Sequence, residues 1–268
     1  MGLFFITPGR IRAPEFMLLP DVLSLRQRLI PTTIAVLERP NGDVVLVDAG
    51  FSRAEMEAPR KHLGLLHGTL TQFVGTPDHC AATQLMSRGI APSRVTTIIA
   101  THMHLDHIGG YVDFPNAEVV APAAEFSSAK LRGSMAGYIH IDAILQSGRA
   151  RPLMFAGDRH RGFPRHADLF DDGSVILLDA KGHTAGSCAV LLTDSDGASV
   201  LMAGDTAYTG AEYRLARFSR LMISVGWDRD WIRATWGALA DFELNNPEIP
   251  VVCSHDEEAF VGVCERHA

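Results

Sequence analysis

The hexapeptide HMHLDH, at residues 102–107, places four potential metal ligands within six positions. Residues at i and i+2 of an extended backbone point to the same side, so His102 and His104 can bind one ion together. Asp106 and His107 lie where the chain turns and can face a second ion. A cluster of surface histidines without metal is the weaker alternative, because imidazole and carboxylate groups at this density best recover their desolvation cost by coordination. The hexapeptide therefore predicts a loop that serves two ions.

The surrounding sequence predicts that this loop follows a buried strand. Residues 95–100 are apolar and rich in β-branched side chains, and Gly109-Gly110 lets the backbone turn away afterwards. Three later segments repeat the order of apolar strand and polar residue: 175–178 before His183, 200–203 before Asp205, and 249–253 before His255. Singly, such a residue is more typical of a cap or turn. In this order behind the hexapeptide, the three indicate one converging site.

The motifs H-x-H-x-D-H, G-H-T-x-G at residues 182–186, an Asp after Gly204 and a late His together resemble the metallo-β-lactamase superfamily. The resemblance covers roughly residues 32–255. It implies an α/β fold, an αβ/βα sandwich of two mixed β-sheets flanked by helices, with a dinuclear metal site at the sheet rim. It implies these ligands: His102, His104 and His183 for the first metal, Asp106, His107 and His255 for the second, and Asp205 bridging both.

The charge of such a site indicates hydrolysis. Two divalent ions contribute about +4, and Asp106, Asp205 and a bridging hydroxide about −3, so a net charge of about +1 remains for a developing oxyanion. Coordination lowers the pKa of water from ~15.7 toward ~7, so a metal-bridging hydroxide can attack without a Ser or Cys nucleophile. We expect Asp106 to orient the nucleophile and pass a proton to the product. Zinc is the expected metal, with manganese, iron and cobalt left open.

Residues 205–209, DTAYT, resemble the N-acyl-homoserine-lactone lactonases, the quorum-quenching branch that carries Tyr three residues after the bridging Asp. Ser254-His255-Asp256 resembles the same branch. This likeness implies opening of the lactone ring of N-acyl-homoserine lactones or related lactones and esters. The phenol of Tyr208 would donate a hydrogen bond to the carbonyl or oxyanion. The alternative is that Tyr208 only packs in a loop.

Other functions stay open at this point. A phosphotriesterase is the main enzymatic rival, because a site of the same charge suits a phosphoryl transition state. A glyoxalase II-like thioester hydrolase has the same ligands but normally adds a basic C-terminal region, and about a dozen residues follow His255 here. A β-lactamase is disfavoured, because members of that class with two zincs typically lack His at the position of His107 and carry Cys in place of Asp205. A metal-dependent binding or sensory protein is the alternative that is not an enzyme.

We expect a single domain spanning residues 1–268, because candidate ligands spread from 102 to 255 must converge on one site. The formal charge of −7, with 31 acidic residues against 24 Lys and Arg, disfavours nucleic acid and other polyanions. A small, neutral or weakly polar substrate is expected.

No segment is apolar enough to span a membrane and no signal peptide is evident, so we expect a cytoplasmic protein with reduced, buried cysteines. The oligomeric state is open, with a homodimer among the possibilities.

Several scaffold elements are also predicted. These are a first strand within residues 1–8, a hairpin of residues 32–37 and 44–48 around an Asn41-Gly42 turn, and helices at 81–88, 123–131 and 228–245. Residues 1–31 and 133–166 match no motif and are expected to shape the pocket. An apolar wall for an acyl chain is expected from Leu221, Met222, Ile223 and Trp227. Surface or capping positions are expected for His62, His67, His79, His140, His160, His166 and His267.

Overall fold

The structure, a computed structural model, describes residues 2–70 and 72–266, so His267 lies outside the described residues. The strands are β1 (Leu3–Ile6), β2 (Arg10–Pro14), β3 (Gln27–Pro31), β4 (Ile34–Glu38), β5 (Val44–Val47), β6 (Phe73–Val74), β7 (Val95–Ile99), β8 (Glu118–Pro122), β9 (Ala150–Leu153), β10 (His166–Asp168), β11 (Val175–Asp179), β12 (Cys188–Thr193), β13 (Ser199–Gly204) and β14 (Val251–Cys253). The helices are α1 (Glu15–Leu18), α2 (Arg53–Glu57), α3 (Pro59–His62), α4 (Gly64–Leu70), α5 (Ala81–Ser87), α6 (Leu105–Ile108), α7 (Ala123–Arg132), α8 (Ile141–Gln146), α9 (Gly210–Leu215), α10 (Arg220–Val225), α11 (Arg229–Asn245) and α12 (Glu257–Arg266).

Two mixed sheets form the centre of the fold. The first has six strands in the order β1-β4-β5-β7-β8-β9, of which β5, β7, β8 and β9 run parallel. The second has five strands in the order β10-β11-β12-β13-β14, with a parallel pair only at β13 and β14. The inner faces meet in one apolar layer, to which Val47 and Ile99 contribute from the first sheet and Val190 and Met202 from the second.

Helices cover the outer face of each sheet. Leu85 of α5 and Phe126 of α7 pack on the first sheet, and Trp236 and Leu239 of α11 pack on the second. Strands covered on both faces carry apolar residues at consecutive positions, as in β5, where Val44–Val47 are all buried. The layer order is helix, sheet, sheet, helix, which confirms the predicted αβ/βα sandwich.

Most of the predicted elements are confirmed to within two residues. The helix expected at 228–245 begins at Arg229, because the side chain of Asp228 accepts hydrogen bonds from the amides of Asp230 and Trp231 and caps it. The strand expected at 249–253 begins only at Val251. Pro250 precedes it and has no N–H to donate to a neighbouring strand.

The hairpin between β4 and β5 is confirmed, but its turn differs from the prediction. Only Gly42 adopts a positive φ, of 89°, and Asn41 does not. The amide of Gly42 donates to the carbonyl of Arg39 at 2.9 Å, and the amide of Arg39 to the carbonyl of Asp43 at 2.9 Å. Pro40 explains the difference, since its fixed φ suits the second position of a type I turn followed by one left-handed glycine.

A third sheet, of three strands in the order β3-β2-β6, was not predicted. Strands β2 and β3 carry charged residues and each ends in a proline, Pro14 and Pro31, so their sequences lack the apolar alternation of a strand. This small sheet lies beside the metal ligands and forms part of the pocket described below. Among the described helices, none is long and apolar enough to cross a lipid bilayer.

Candidate metal centre and substrate pocket

The seven predicted ligands come together at one edge of the two sheets. Residues 102–107 follow β7, and His104 is the last extended residue, with φ −68° and ψ 156°, before α6 begins. This places Asp106 and His107 in the single turn of α6. His183 lies in the loop between β11 and β12, Asp205 directly follows β13, and His255 follows β14. Each ligand is thus held at the end of a packed strand.

Three imidazoles form the first ligand group. The Nδ1 atom of His104 lies 3.0 Å from Nε2 of His102 and 3.2 Å from Nε2 of His183. Burial, helped by neighbouring histidines and opposed by nearby carboxylates, lowers the pKa of His104 to about 4 and that of His183 to about 3. These nitrogens are therefore unprotonated at neutral pH. Three converging lone pairs fit a tetrahedral ion with one position left open.

Asp106, His107 and His255 form the second group. The Oδ2 atom of Asp106 lies 3.8 Å from Nε2 of His107 and 3.7 Å from Nε2 of His255. Burial lowers the pKa of His107, but Asp205, Asp48 and Asp106 outweigh it, so that the pKa rises well above its usual range. This cluster of carboxylates attracts positive charge to the second group.

Asp205 lies between the two groups, with one oxygen toward each. Its Oδ1 atom is 3.3 Å from Nε2 of both His107 and His255. Its Oδ2 atom is 3.9 Å from Nε2 of His102 and 3.7 Å from Nε2 of His183. Burial raises the pKa of Asp205, but His255 and His107 outweigh it and hold the pKa well below its usual range, so the group is a carboxylate. This is the geometry that a bridging ligand requires.

The polar atoms left unpaired at this site fit divalent cations. Nε2 of His107 and Oδ1 of Asp205 are buried and have no hydrogen-bond partner among the described residues. Buried polar atoms in proteins are nearly always paired. Nitrogen and carboxylate donors of this kind suit zinc and, less selectively, other first-row metals. The seven side chains would therefore hold two such ions, which remains a prediction as to number and identity.

Asp48 supports the second group and is absent from the predicted ligand set. It is fully buried directly after β5, and its Oδ2 accepts a hydrogen bond from Nδ1 of His107 at 2.8 Å. Its Oδ1 accepts from the amide of Thr101 at 2.8 Å. With Nδ1 of His107 carrying the proton, Nε2 is free to bind metal. His255 is oriented in the same way, since its Nδ1 donates to the carbonyl of Pro31 at 2.8 Å.

Glu125, at the start of α7, joins the two ligand loops of the first group. Its buried carboxylate accepts hydrogen bonds from the amide of Met103 at 2.9 Å, the hydroxyl of Thr184 at 2.6 Å and the amide of Gly186 at 3.2 Å. A Cβ on Gly186 would lie 2.2 Å from the backbone nitrogen of Glu125. This contact gives the Thr and the second Gly of the G-H-T-x-G motif a physical reason.

Tyr208 lies beside both ligand groups. Its ring is 5.7 Å from that of His183 and 5.6 Å from that of His255, centre to centre, and the side chain is only 3% exposed. Burial raises the pKa of Tyr208 well above its usual range, and Asp205 and Glu212 raise it further. The phenol therefore keeps its proton and can act as a hydrogen-bond donor.

A cavity of about 590 Å³ opens over the ligands and is lined by His104, Asp106, Asp205, Tyr208 and His255. Its walls come from the small sheet (Ile11, Ala13 and Ile30), from residues 135–137 and from α10. The two segments without sequence motifs, residues 1–31 and 133–166, thus both contribute to the pocket. A Cβ on Gly137 would lie 3.3 Å from the ring of His104, so a side chain at this position would press on a candidate ligand.

The expected apolar wall is only partly correct. Leu221 lines the cavity and Val225, one helical turn later, lines it too, whereas Met222 is fully buried in the core behind α10. Ile223 and Trp227 are both 45% exposed and are not part of the lining. Helical geometry explains the difference, because residues i and i+4 share a face while i and i+1 do not.

Two histidines expected at the surface or at helix caps have other roles. His67 on α4 lines the cavity, and its Nε2 donates to the carbonyl of Ser134 at 2.7 Å. His140 precedes α8, but its Nε2 lies 2.7 Å from the buried carboxylate of Glu55 and its side chain makes no cap. Both contacts tie the 133–140 segment to the helices α2 and α4.

Comparison with known proteins agrees with this geometry. The probable metallo-hydrolase Rv2300c of Mycobacterium tuberculosis is 28% identical over 242 residues, covering 85% of this chain and 75% of the relative. The N-acyl homoserine lactonase AttM of Azorhizobium caulinodans is 26% identical over 180 residues, covering 67% of this chain and 66% of the relative. A B. thuringiensis AiiA structure with N-decanoyl-L-homoserine at its active site superimposes with a TM-score of 0.76 at 21% identity, covering 97% of this chain and 95% of that one.

The family model of the metallo-beta-lactamase superfamily matches residues 28–242, which contain six of the seven predicted ligands; the seventh, His255, lies in the same cluster beyond the match. The chain belongs to the metallo-beta-lactamase superfamily.

Proposed function

We propose that this protein is a dinuclear metal hydrolase, with zinc as the expected metal, that opens the lactone ring of N-acyl-homoserine lactones or related lactones and esters. The observation that carries this proposal is the position of Asp205, whose two oxygens face two separate ligand groups beneath one open cavity. A pair of ions bound there supplies Lewis acidity and lowers the pKa of coordinated water toward ~7. The protein's own residues position the substrate and move the proton.

Asp106 and Tyr208 are the residues with catalytic roles in this proposal. Both line the cavity, and the side chain of Asp106 is 19% exposed, so a water molecule and a substrate can reach it. Its carboxylate can orient a water for attack and then carry a proton to the leaving alkoxide. The phenol of Tyr208 can donate to the carbonyl oxygen as negative charge develops there.

Lactones are favoured over other hydrolysable groups for two reasons. The phenol of Tyr208, beside His183 and His255, supplies a neutral hydrogen-bond donor, which suits the single oxyanion that develops on a lactone carbonyl. The named relatives support the same chemistry, since AttM is called a lactonase and the AiiA structure holds a ring-opened acyl-homoserine.

A panel of three substrates tests the proposal: N-acyl-homoserine lactones, an aryl phosphotriester and a glutathione thioester, each with zinc-loaded and metal-free protein. We expect the highest kcat/KM for a lactone and loss of turnover without metal. Higher kcat/KM for the phosphotriester or the thioester would replace the lactonase proposal by that activity. No turnover of any member by fully loaded protein would support a binding or sensory role.

A further inference from the structure

Among the described residues that line the cavity, Arg132 has a charged side chain with no role in the metal centre and no partner in the fold. It is the last residue of α7 and lines the cavity wall that continues through residues 135–137. Among the described residues, its guanidinium has no hydrogen bond, ion pair or aromatic contact.

The other polar side chains of the cavity have roles within the protein. His67 donates to the carbonyl of Ser134, and the hydroxyl of Ser224 donates to the carbonyl of Leu221 at 2.7 Å. The acidic residues of the lining are Asp106 and Asp205, both in the candidate metal centre. Within the described lining, Arg132 is thus the unpaired charge, and the carboxylates of that lining both belong to the candidate metal centre.

With two divalent ions bound, the local charge of the cavity would differ in sign from that of the chain. The chain has a formal charge of −7, whereas a site with two divalent ions keeps about +1 and Arg132 adds a further positive charge. A cleft of one sign concentrates ligands of the opposite sign. Because Arg132 is exposed while His104 is half-buried, the guanidinium lies toward the mouth of the cavity. It would meet the part of a substrate that is remote from the scissile bond.

We propose that Arg132 is a specificity-determining residue that selects lactones or esters with a carboxylate at the far end of the acyl chain. This inference rests on the proposed function and names its substrate class. A planar guanidinium binds a carboxylate through two parallel hydrogen bonds, a geometry that the neutral end of an alkyl chain cannot use. The surrounding apolar residues, Met135 and Val225, would contact the methylene groups between the carboxylate and the ring.

Matched pairs of substrates test this selectivity: N-adipoyl- against N-hexanoyl-homoserine lactone, and N-suberoyl- against N-octanoyl-homoserine lactone. Each pair has equal chain length and differs in the terminal carboxylate. For the wild type we expect kcat/KM to be about tenfold higher for the acidic member at low salt, falling as salt screens the exposed guanidinium. R132Q should lose this preference, and R132K should retain part of it.

Lys130 offers a matched control. It is exposed on the same helix, two residues earlier and therefore on a different face, and it does not line the cavity. K130Q removes the same charge from α7 and should keep the wild-type ratio. An equal loss of preference in K130Q and R132Q, an unchanged ratio in R132Q, or a wild-type preference for the neutral member would overturn the proposal.

Calorimetric binding of the ring-opened N-adipoyl- and N-hexanoyl-homoserines to zinc-loaded protein separates this proposal from the lactonase proposal. Binding needs no turnover, so it tests Arg132 even if lactones are not hydrolysed. We expect about tenfold tighter binding of the adipoyl compound by the wild type and equal affinities in R132Q. Equal affinities in the wild type would contradict the role of Arg132, whereas failure of lactone turnover with selective binding would contradict only the lactonase proposal.

Discussion

Replacing Asp48 with Asn tests how the second ligand group is oriented. Asp48 is fully buried and has a φ of 64°, a conformation that Asn adopts as readily as Asp, so the backbone should not change. An amide can still accept from the amide of Thr101, but its NH₂ group would then face Nδ1 of His107. His107 must respond by moving its proton to Nε2, the atom expected to bind metal.

The expected loss of metal affinity follows from that change of tautomer. Loss of a carboxylate partner behind a metal-binding histidine typically weakens metal affinity about 10- to 100-fold, or about 1.4–2.7 kcal/mol. We expect a loss of this size at one of two zinc sites, measured by competition with a chromophoric chelator. The other site should change less, because Asp48 contacts only His107 among the seven ligands.

Asp196→Asn is the matched control for this experiment. Asp196 is exposed, in the turn between β12 and β13, so the same change of charge should leave both affinities unaltered. Unfolding in urea, without metal, checks that the variant is folded. Wild-type affinity at both sites in a folded D48N protein would refute the role assigned to Asp48.

Three further substitutions, the last with a control at Gly237, give distinct outcomes. Asp205→Asn should weaken metal binding at both sites and lower turnover by more than about 100-fold. Even residues that only hydrogen-bond to a metal ligand contribute about 10- to 100-fold to metal affinity or activity. Near wild-type turnover at full metal content would show that Asp205 is not the bridge. Tyr208→Phe should lower kcat/KM for lactones about 10- to 100-fold at unchanged metal content, and no effect would make Tyr208 a packing residue. Gly186→Ala should destabilise the protein by about 1–3 kcal/mol in urea unfolding through overlap with Glu125, whereas Gly237→Ala, in open space on α11, should stabilise it by about 0.5–1 kcal/mol.

Candidate ligands could be singled out because each follows an apolar strand in the sequence, while their division between two metals came from the resemblance to the superfamily. Periodicity identifies the strands, and parallel strands bring their carboxyl ends to one edge. Asp48 obeys the same rule, since it directly follows the buried strand β5. It could have been singled out by that position, but its role behind His107 needed the fold to place it.

The pocket could not be predicted in the same way. Its small sheet consists of short, partly charged strands without apolar alternation, so local sequence gives no strand signal for them. His67 is joined to Ser134 by a contact between segments 67 residues apart in the chain. Arg132 has an ordinary sequence context, and only the position of α7 against the metal loop places it in the cavity.

Titration of metal-free protein with zinc, while hydrolysis of an N-acyl-homoserine lactone is followed, tests the central claim most directly. Six ligands around a shared Asp205 predict that turnover rises until two equivalents per chain are bound and then stays constant. Full turnover without added metal, a plateau at one equivalent, or no lactone hydrolysis at two bound equivalents would contradict a dinuclear lactonase.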